Sequence, residues 1–236
     1  MFQTFGWQHL SLILQGALVT VQICVLSVVF GGFFGLLIGL MSTGTIRPLR
    51  WVSGVYVGLI RGIPVLLIIF FVYFGIPLLA PGSSLAEYWA GVIALSVFAA
   101  AYIGELVRGS IQAVPRGQFE AAEALGMPYT ERMRWIILPQ AARLIVPPGV
   151  GFLVILIKDS SLVAVIGLIE LTRAGNIVSS QTADPIVAYT VVGAFYFVIC
   201  FVLSSLARRY ERRLGTRVPA PRVGDALTAL KPGATQ

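Results

Sequence analysis

Five stretches of this chain are each long and apolar enough to cross a lipid bilayer, and nothing else in the sequence restricts the fold as much. A helix needs about 20 apolar residues to span the hydrocarbon core. No water is available there to satisfy backbone polar groups, so a chain crosses as helices or as a closed barrel. Residues 17–40, 52–79, 87–105, 141–157 and 186–207 meet the helical requirement. Pro147 and Pro148 remove backbone donors inside the fourth and predict a bend. Only 11% of residues are charged, less than half the roughly 25% of a soluble domain. The fold expected is an all-α polytopic membrane protein.

Residues 162–171 (LVAVIGLIEL) are apolar but too short for a span. They predict either a short re-entrant or surface helix on the outer side or a sixth crossing, and charge decides between these. Loops on the cytoplasmic side carry the excess of Lys and Arg. With five crossings and the N-terminus outside, Arg47, Arg50, Arg108, Arg116, Arg132, Arg134 and Arg143 fall on the inner side. So do Arg208, Arg209, Arg212, Arg213, Arg217, Arg222 and Lys231, leaving Lys158 and Arg173 outside. A sixth crossing would reverse the rule for the whole C-terminal cluster. The expectation is five spans in residues 1–214, with an outer N-terminus and a cytoplasmic C-terminus. The tail, residues 215–236, is rich in Pro, Ala, Gly and Thr and is expected to be disordered. The start of the chain has no cationic n-region, so the first span is expected to be retained.

Several chemistries find no support. Cys24 and Cys200 lie in apolar runs without partners at metal spacing, so no zinc site or disulfide is expected. His9, the single histidine, reads as an interfacial residue. No Ser–His arrangement or acid cluster suggests an enzyme. No G-x-x-x-x-G-K-[ST] is present, so the chain has no P-loop of its own.

The stretch 119–140 (FEAAEALGMPYTERMRWIILPQ) interrupts the apolar pattern between the third and fourth spans. Glu120, Ala121, Ala122, Glu123, Ala124 and Leu125 are strong helix formers. Gly126 is a natural left-handed terminator, and Pro128 suits the first turn of a second helix. A helix this short is marginal in water and needs packing. Composition alone leaves open whether it docks on a partner or lies on the membrane surface, although it lacks the bulky apolar face of an interfacial helix.

The spacing goes further. Glu120-Ala121-Ala122, then Gly126, then Ile136-x-Leu138-Pro139 resembles the EAA loop of ABC importer permeases across its whole pattern. Arg61-Gly62-Ile63-Pro64 resembles the R-G-T-P element of the polar amino-acid branch, with Ile63 where Thr is usual. Lys158-Asp159-Ser160-Ser161-Leu162 is similar to that branch's K-D-(S/T)-S-L, and Ala101-Tyr102-Ile103-Gly104-Glu105 also fits it. The resemblance covers roughly residues 16–213. It implies an inner-membrane permease subunit that pairs with itself or a sister permease. It also implies two ABC ATPase subunits beneath the pair, which bind ATP and Mg, and an extracytoplasmic substrate-binding protein above it. Glu120, Ala121, Ala122, Gly126, Leu138 and Pro139 would then form the ATPase-coupling element.

Two polar groups fall at membrane depth. Arg61 lies inside the second span, where a cation costs about 3 kcal/mol or more. It either snorkels to the inner interface or contacts an inner gate or the substrate carboxylate. Gly62 and Pro64 would break the helix beside it. Lys158, Asp159, Ser160 and Ser161 end the fourth span, either as an outer-interface ion pair or as a polar substrate path. For a zwitterionic amino acid, Asp159 can accept from the ammonium while Lys158, Ser160 and Ser161 donate to the carboxylate. Glu105 is expected to pair with Arg108, three residues on. A permease of another ABC branch, or a channel or carrier that works without ATP, are the other readings. The last two offer no reason for the charged central helix.

Overall fold

The computed structural model describes residues 4–79 and 84–214, and every regular element among them is helical. In chain order these are α1 (Trp7–Thr43), α2 (Arg47–Gly62), α3 (Val65–Leu79), α4 (Glu87–Gln112), α5 (Arg116–Ala124) and α6 (Tyr129–Arg132). A π-helical turn (Met133–Ile137), α7 (Leu138–Asp159), a 3₁₀ segment (Ser160–Ile166), α8 (Leu171–Thr182) and α9 (Pro185–Leu214) follow. The all-α membrane fold is the one expected. The tail, residues 215–236, lies outside the described residues.

Four helical runs are long and apolar enough to cross a membrane: α1, α4, Tyr129–Ile166 and α9. The pair α2 and α3 makes a fifth span only as a broken one, because the two helices meet at 103°. The sequence explains the site of the break. Ile63 precedes Pro64 and takes extended backbone (φ −105°, ψ 133°), as the proline ring requires of its predecessor. Pro64 then opens α3, its carbonyl accepting from the Leu67 N–H at 2.9 Å. By contrast α7 is continuous through Pro147 and Pro148.

The bundle is built on α1 against α4. Gly31, Gly35 and Gly39 recur every fourth residue along α1 and let the two backbones meet, as small residues do between helices in lipid. A Cβ on Gly31 would stand 2.6 Å from the Ala99 Cβ, and one on Gly35 would stand 2.8 Å from the Ile103 Cβ. One on Gly39 would overlap Val107. Gly32 lies one position off this stripe, and a methyl group added there would meet no heavy atom within 4 Å. Opposite signs follow. Gly35→Ala should destabilise the purified chain by about 1–3 kcal/mol through overpacking, whereas Gly32→Ala should stabilise it by up to about 1 kcal/mol through helix propensity. Unfolding in detergent, followed by circular dichroism, measures both.

Apolar side chains also cover the outside of the bundle. Leu18, Val25, Val29 and Phe33 on α1 and Phe197, Phe201 and Leu206 on α9 are all exposed. A soluble protein would not expose so large an apolar surface; a hydrocarbon solvent matches it.

The short outer helix differs from expectation. The apolar residues of 162–171 form a tight 3₁₀ turn that ends at Gly167 (φ 101°), and the helix is α8, one step later. It runs back along α1. The Leu171 N–H reaches the Thr20 hydroxyl at 3.1 Å, Ala174 faces Gly16, and Val178 shares an apolar cluster with Ile13. The apolar character of 162–171 comes from burial in protein: Val163, Ala164 and Ile166 are all in the core. His9 is likewise buried in protein. It is 2% exposed, and its Nδ1 accepts the Gly6 N–H at 3.0 Å at the start of α1.

Candidate functional site

The central loop is the first candidate. Pro115 precedes α5, and Gly126 ends it in the left-handed region at φ +73°. The Gly126 N–H donates to the Glu123 carbonyl at 2.9 Å, and the Met127 N–H donates to the Ala122 carbonyl at 3.1 Å. These two bonds form a Schellman closure, which satisfies carbonyls that the helix end would otherwise leave open. The motif's residues divide by face. Ala122 is buried at 1% exposure, while Glu120, Ala121, Ala124 and Leu125 are exposed. Leu125 is the outlier, with 79% of its surface open. The helix therefore presents a smooth, small-residue face ending in one large apolar side chain.

Residues that the motif does not name tie this loop to the bundle. The Tyr129 hydroxyl donates to the Thr43 carbonyl at the end of α1 (3.3 Å). Arg132 pairs with Glu123 at 3.3 Å and lies over the Tyr129 ring. Gln140 donates to Gln118 at 3.2 Å. Phe119, Tyr129 and Met133 pack with Val107, Ile111 and Val114 of α4 and the segment after it. Leu138 joins the same cluster, and Pro139 is exposed in the first turn of α7. Pro139 has no N–H for the Trp135 carbonyl, and its ring crowds that group. The wide turn before it, with the Leu138 N–H bonded to the Met133 carbonyl, relieves the conflict. So Leu138 and Pro139 shape the junction, and the face of α5 is what a partner can reach.

The second candidate is the polar bend after α7. Its neighbours place it: Leu156 and Ile157, just before it, share an apolar cluster with Cys24 of α1, and Val163, just after it, meets Gly91 of α4. Lys158 is exposed and Asp159 and Ser161 are half-buried. Among the described residues, neither Lys158 nor Asp159 makes a salt bridge. Ser160 is fully buried, and its hydroxyl donates to the Ile157 carbonyl at 2.8 Å. It packs the bend and has no free hydroxyl to offer a path in this conformation.

Arg61 does not join this group. Its guanidinium lies 5.1 Å from the Tyr102 ring centroid and 3.7 Å from Glu105 Oε1. Glu105 also receives both arms of Arg108, at 2.9 and 2.5 Å. The expected Glu105–Arg108 pair is present, and Arg61 adds a second cation to it. Among the described residues this is the one ion pair that joins two different spans. Along α4, Gly91 meets Val163, Tyr102 stacks on Phe152, and Val107 groups with Ile137 and Ala141. Glu105 therefore stands nearer the α5 end of the bundle than residues 158–161 do. The polar groups form two levels, separated by the aromatic contact of Tyr102 with Phe152.

Comparison with known proteins agrees with this architecture. Residues 9–216 match the family described as Binding-protein-dependent transport system inner membrane component. The chain is 37% identical over 206 residues to the arginine transport system permease protein ArtQ of Bacillus subtilis (strain 168), covering 87% of this chain and 94% of that one. It is 36% identical over 214 residues to the probable glutamine ABC transporter permease protein GlnP of the same organism, covering 89% and 96%. A crystal structure of an amino acid ABC transporter with histidines superposes at a TM-score of 0.82, with 35% identity, over 89% of this chain and all of that one.

Proposed function

The chain belongs to the family of binding-protein-dependent transport system inner membrane components and is the permease subunit of an amino-acid ABC importer; we propose that its cargo is a polar amino acid, that residues 119–139 couple it to a separate ATPase, and that Lys158, Asp159 and Ser161, positioned by the buried Ser160, line the path. It is a transport subunit and not an enzyme, and ATP hydrolysis belongs to the partner ATPase. In this proposal the chain sits in the inner membrane with its N-terminus outside and its C-terminus in the cytoplasm. It pairs with a second permease, either a copy or a sister chain. ATPase subunits that bind ATP and Mg dock beneath the pair, and a substrate-binding protein docks on the outer face.

The observation that carries the coupling proposal is the divided face of α5. Ala122 and the Tyr129–Arg132 contacts hold the helix rigidly to the bundle, while Glu120, Ala121 and Leu125 point away from it. A stiff helix bolted to the spans passes on a push as a rigid-body shift, and packed interfaces answer such shifts by switching between discrete states. Leu125 alone would gain about 1.5–3 kcal/mol on entering an apolar cleft. Ala121 allows the close approach such a cleft needs, and Glu120 supplies a polar contact at its rim.

The test is copurification. The tagged chain, solubilised with its native neighbours, should bring down an ABC ATPase, and Ala121→Arg should lose it while the chain stays in the membrane. Recovery of the chain alone, or amino-acid transport by the chain alone in vesicles without nucleotide hydrolysis, contradicts the proposal.

A further inference from the structure

Glu170 is fully buried, yet among the described residues no cation forms a salt bridge with it. What surrounds it is a set of donors from three helices. The Arg173 N–H in the first turn of α8 donates to its Oε1 at 2.8 Å. The Thr20 hydroxyl of α1 donates to its Oε2 at 3.3 Å, and the Tyr196 hydroxyl of α9 donates to the same oxygen at 3.1 Å. The donors are themselves oriented. Thr20 accepts the Leu171 N–H at 3.1 Å, which leaves its proton for the carboxylate. Thr172 lies 2.9 Å from the Tyr196 hydroxyl and can supply that oxygen in the same way. A carboxylate satisfied by hydrogen bonds on every side can remain in a buried site without a counter-ion.

The place of this knot gives it meaning. The segment between α7 and α8 touches α1 at both of its ends, on successive helical turns. Leu156 and Ile157, which lead into it, share an apolar cluster with Cys24 at one end, and Glu170 and Leu171 meet Thr20 at the other. At the second end the approach is so close that a Cβ on Gly16 would stand 2.9 Å from the Glu170 carbonyl oxygen. Residues 158–161 lie at the first end.

We infer that Glu170 is a positioning residue: its carboxylate clasps the start of α8 to α1 and α9 and so sets where the side chains of residues 158–161 stand. The inference rests on the proposal that those residues line the substrate path, but it can fail separately. Glu170 itself never meets the cargo. It acts through the frame of the bend, and the hydroxyls of Thr20 and Tyr196 act through it.

The experiment uses the permease assembled with its ATPase and binding protein, in liposomes, with Cys24 and Cys200 replaced by serine and Ser161→Cys as a reporter. Thr20→Val keeps the shape of the side chain and removes both the donor to Glu170 and the acceptor of the Leu171 N–H. Thr20→Ser keeps the donor. Glu170→Gln places an amide donor among donors. Two quantities are read: the rate at which a water-soluble thiol reagent labels the reporter, and the KM and kcat of uptake measured without the reporter. In Thr20→Val and Glu170→Gln the labelling rate should change by about fivefold or more and KM should rise by about tenfold, the consequence of buried hydrogen bonds left unmade. Thr20→Ser should stay near the parent in both. If labelling changes while KM does not, the clasp stands and the path reading of residues 158–161 falls. If labelling is unchanged in Thr20→Val, the inference is overturned, whatever the chain's yield or uptake. Thr20→Val carries the test alone should Glu170→Gln fail to assemble.

Discussion

Gly126→Asp should abolish binding-protein-dependent uptake while the chain stays in the membrane at its usual amount. The backbone argument comes first. Gly126 adopts φ +73°, and a Cβ there would meet nothing within 4 Å. The position therefore requires glycine for its conformation and not for space. Aspartate is one of the few residues that visits the left-handed region routinely, at a cost of about 1–2 kcal/mol. The Schellman closure of α5 can survive it. What cannot survive is the proposed ATPase contact: a carboxylate would stand beside Leu125, which is 79% exposed. Burying an unpaired charge in an interface costs several kcal/mol after relaxation, so coupling should fall by about a hundredfold or more. Hydrolysis by the assembled complex should no longer rise with loaded binding protein. Gly126→Asn is the matched control. It shares the tolerance for positive φ and the size but lacks the charge, and it should keep most of the uptake. Wild-type uptake by the Asp variant would remove α5 from the coupling role.

The features legible in the sequence are local ones. A run of about 20 apolar residues is a one-dimensional property, so four of the expected spans reappear as long apolar helical runs and the second as a bent pair. The helix, glycine and second helix of residues 119–140 are legible for the same reason, because capping is decided within a few residues. Arg108 three residues after Glu105 needs only helix geometry.

Features that depend on distant contacts are not legible in this way. Pro64 predicts a break in the second span but not an angle of 103°, which is set by how α3 finds α4 and the 3₁₀ segment. Charge argues for a number of crossings, but it cannot place the short helix. Residues 171–182 (LTRAGNIVSSQT) are too polar to be flagged as apolar, and they pack in protein and not in lipid. The contact of Glu170 with Thr20 joins residues 150 apart in the chain, and no local pattern announces it. Adjacency groups Ser160 with its neighbours, whereas its burial depends on which way the end of α7 faces. One long-range signal does stand in the sequence. Glycines at 31, 35 and 39 keep the every-fourth spacing of a close helix contact, and they mark the seam on which the bundle is built.

Asp159→Asn should move stability and transport in opposite directions. Asp159 is half-buried at the end of α7 and has no salt-bridge partner among the described residues, and Lys158 beside it has none either. Charges inside an apolar span are expensive to hold. Arg61 shows the alternative, since it is covered by Tyr102 and paired with Glu105. A residue that only stabilised the bend would be expected to find such cover. Removing the charge from Asp159 with an isosteric amide should therefore leave the folded chain as stable as before or more so, by about 1 kcal/mol or more. Transport should go the other way. An ammonium group on the cargo would lose a charge-assisted acceptor, worth about 1.5–3 kcal/mol, and uptake at low cargo concentration should fall by about 10- to 100-fold. Lys158→Met removes the facing donor and should show the same opposition, with the defect tied to the cargo's carboxylate. Thermal unfolding of the assembled complex, set beside initial uptake rates for a panel of polar amino acids, reads both signs. A variant that is less stable and transports normally would mark Asp159 as structural.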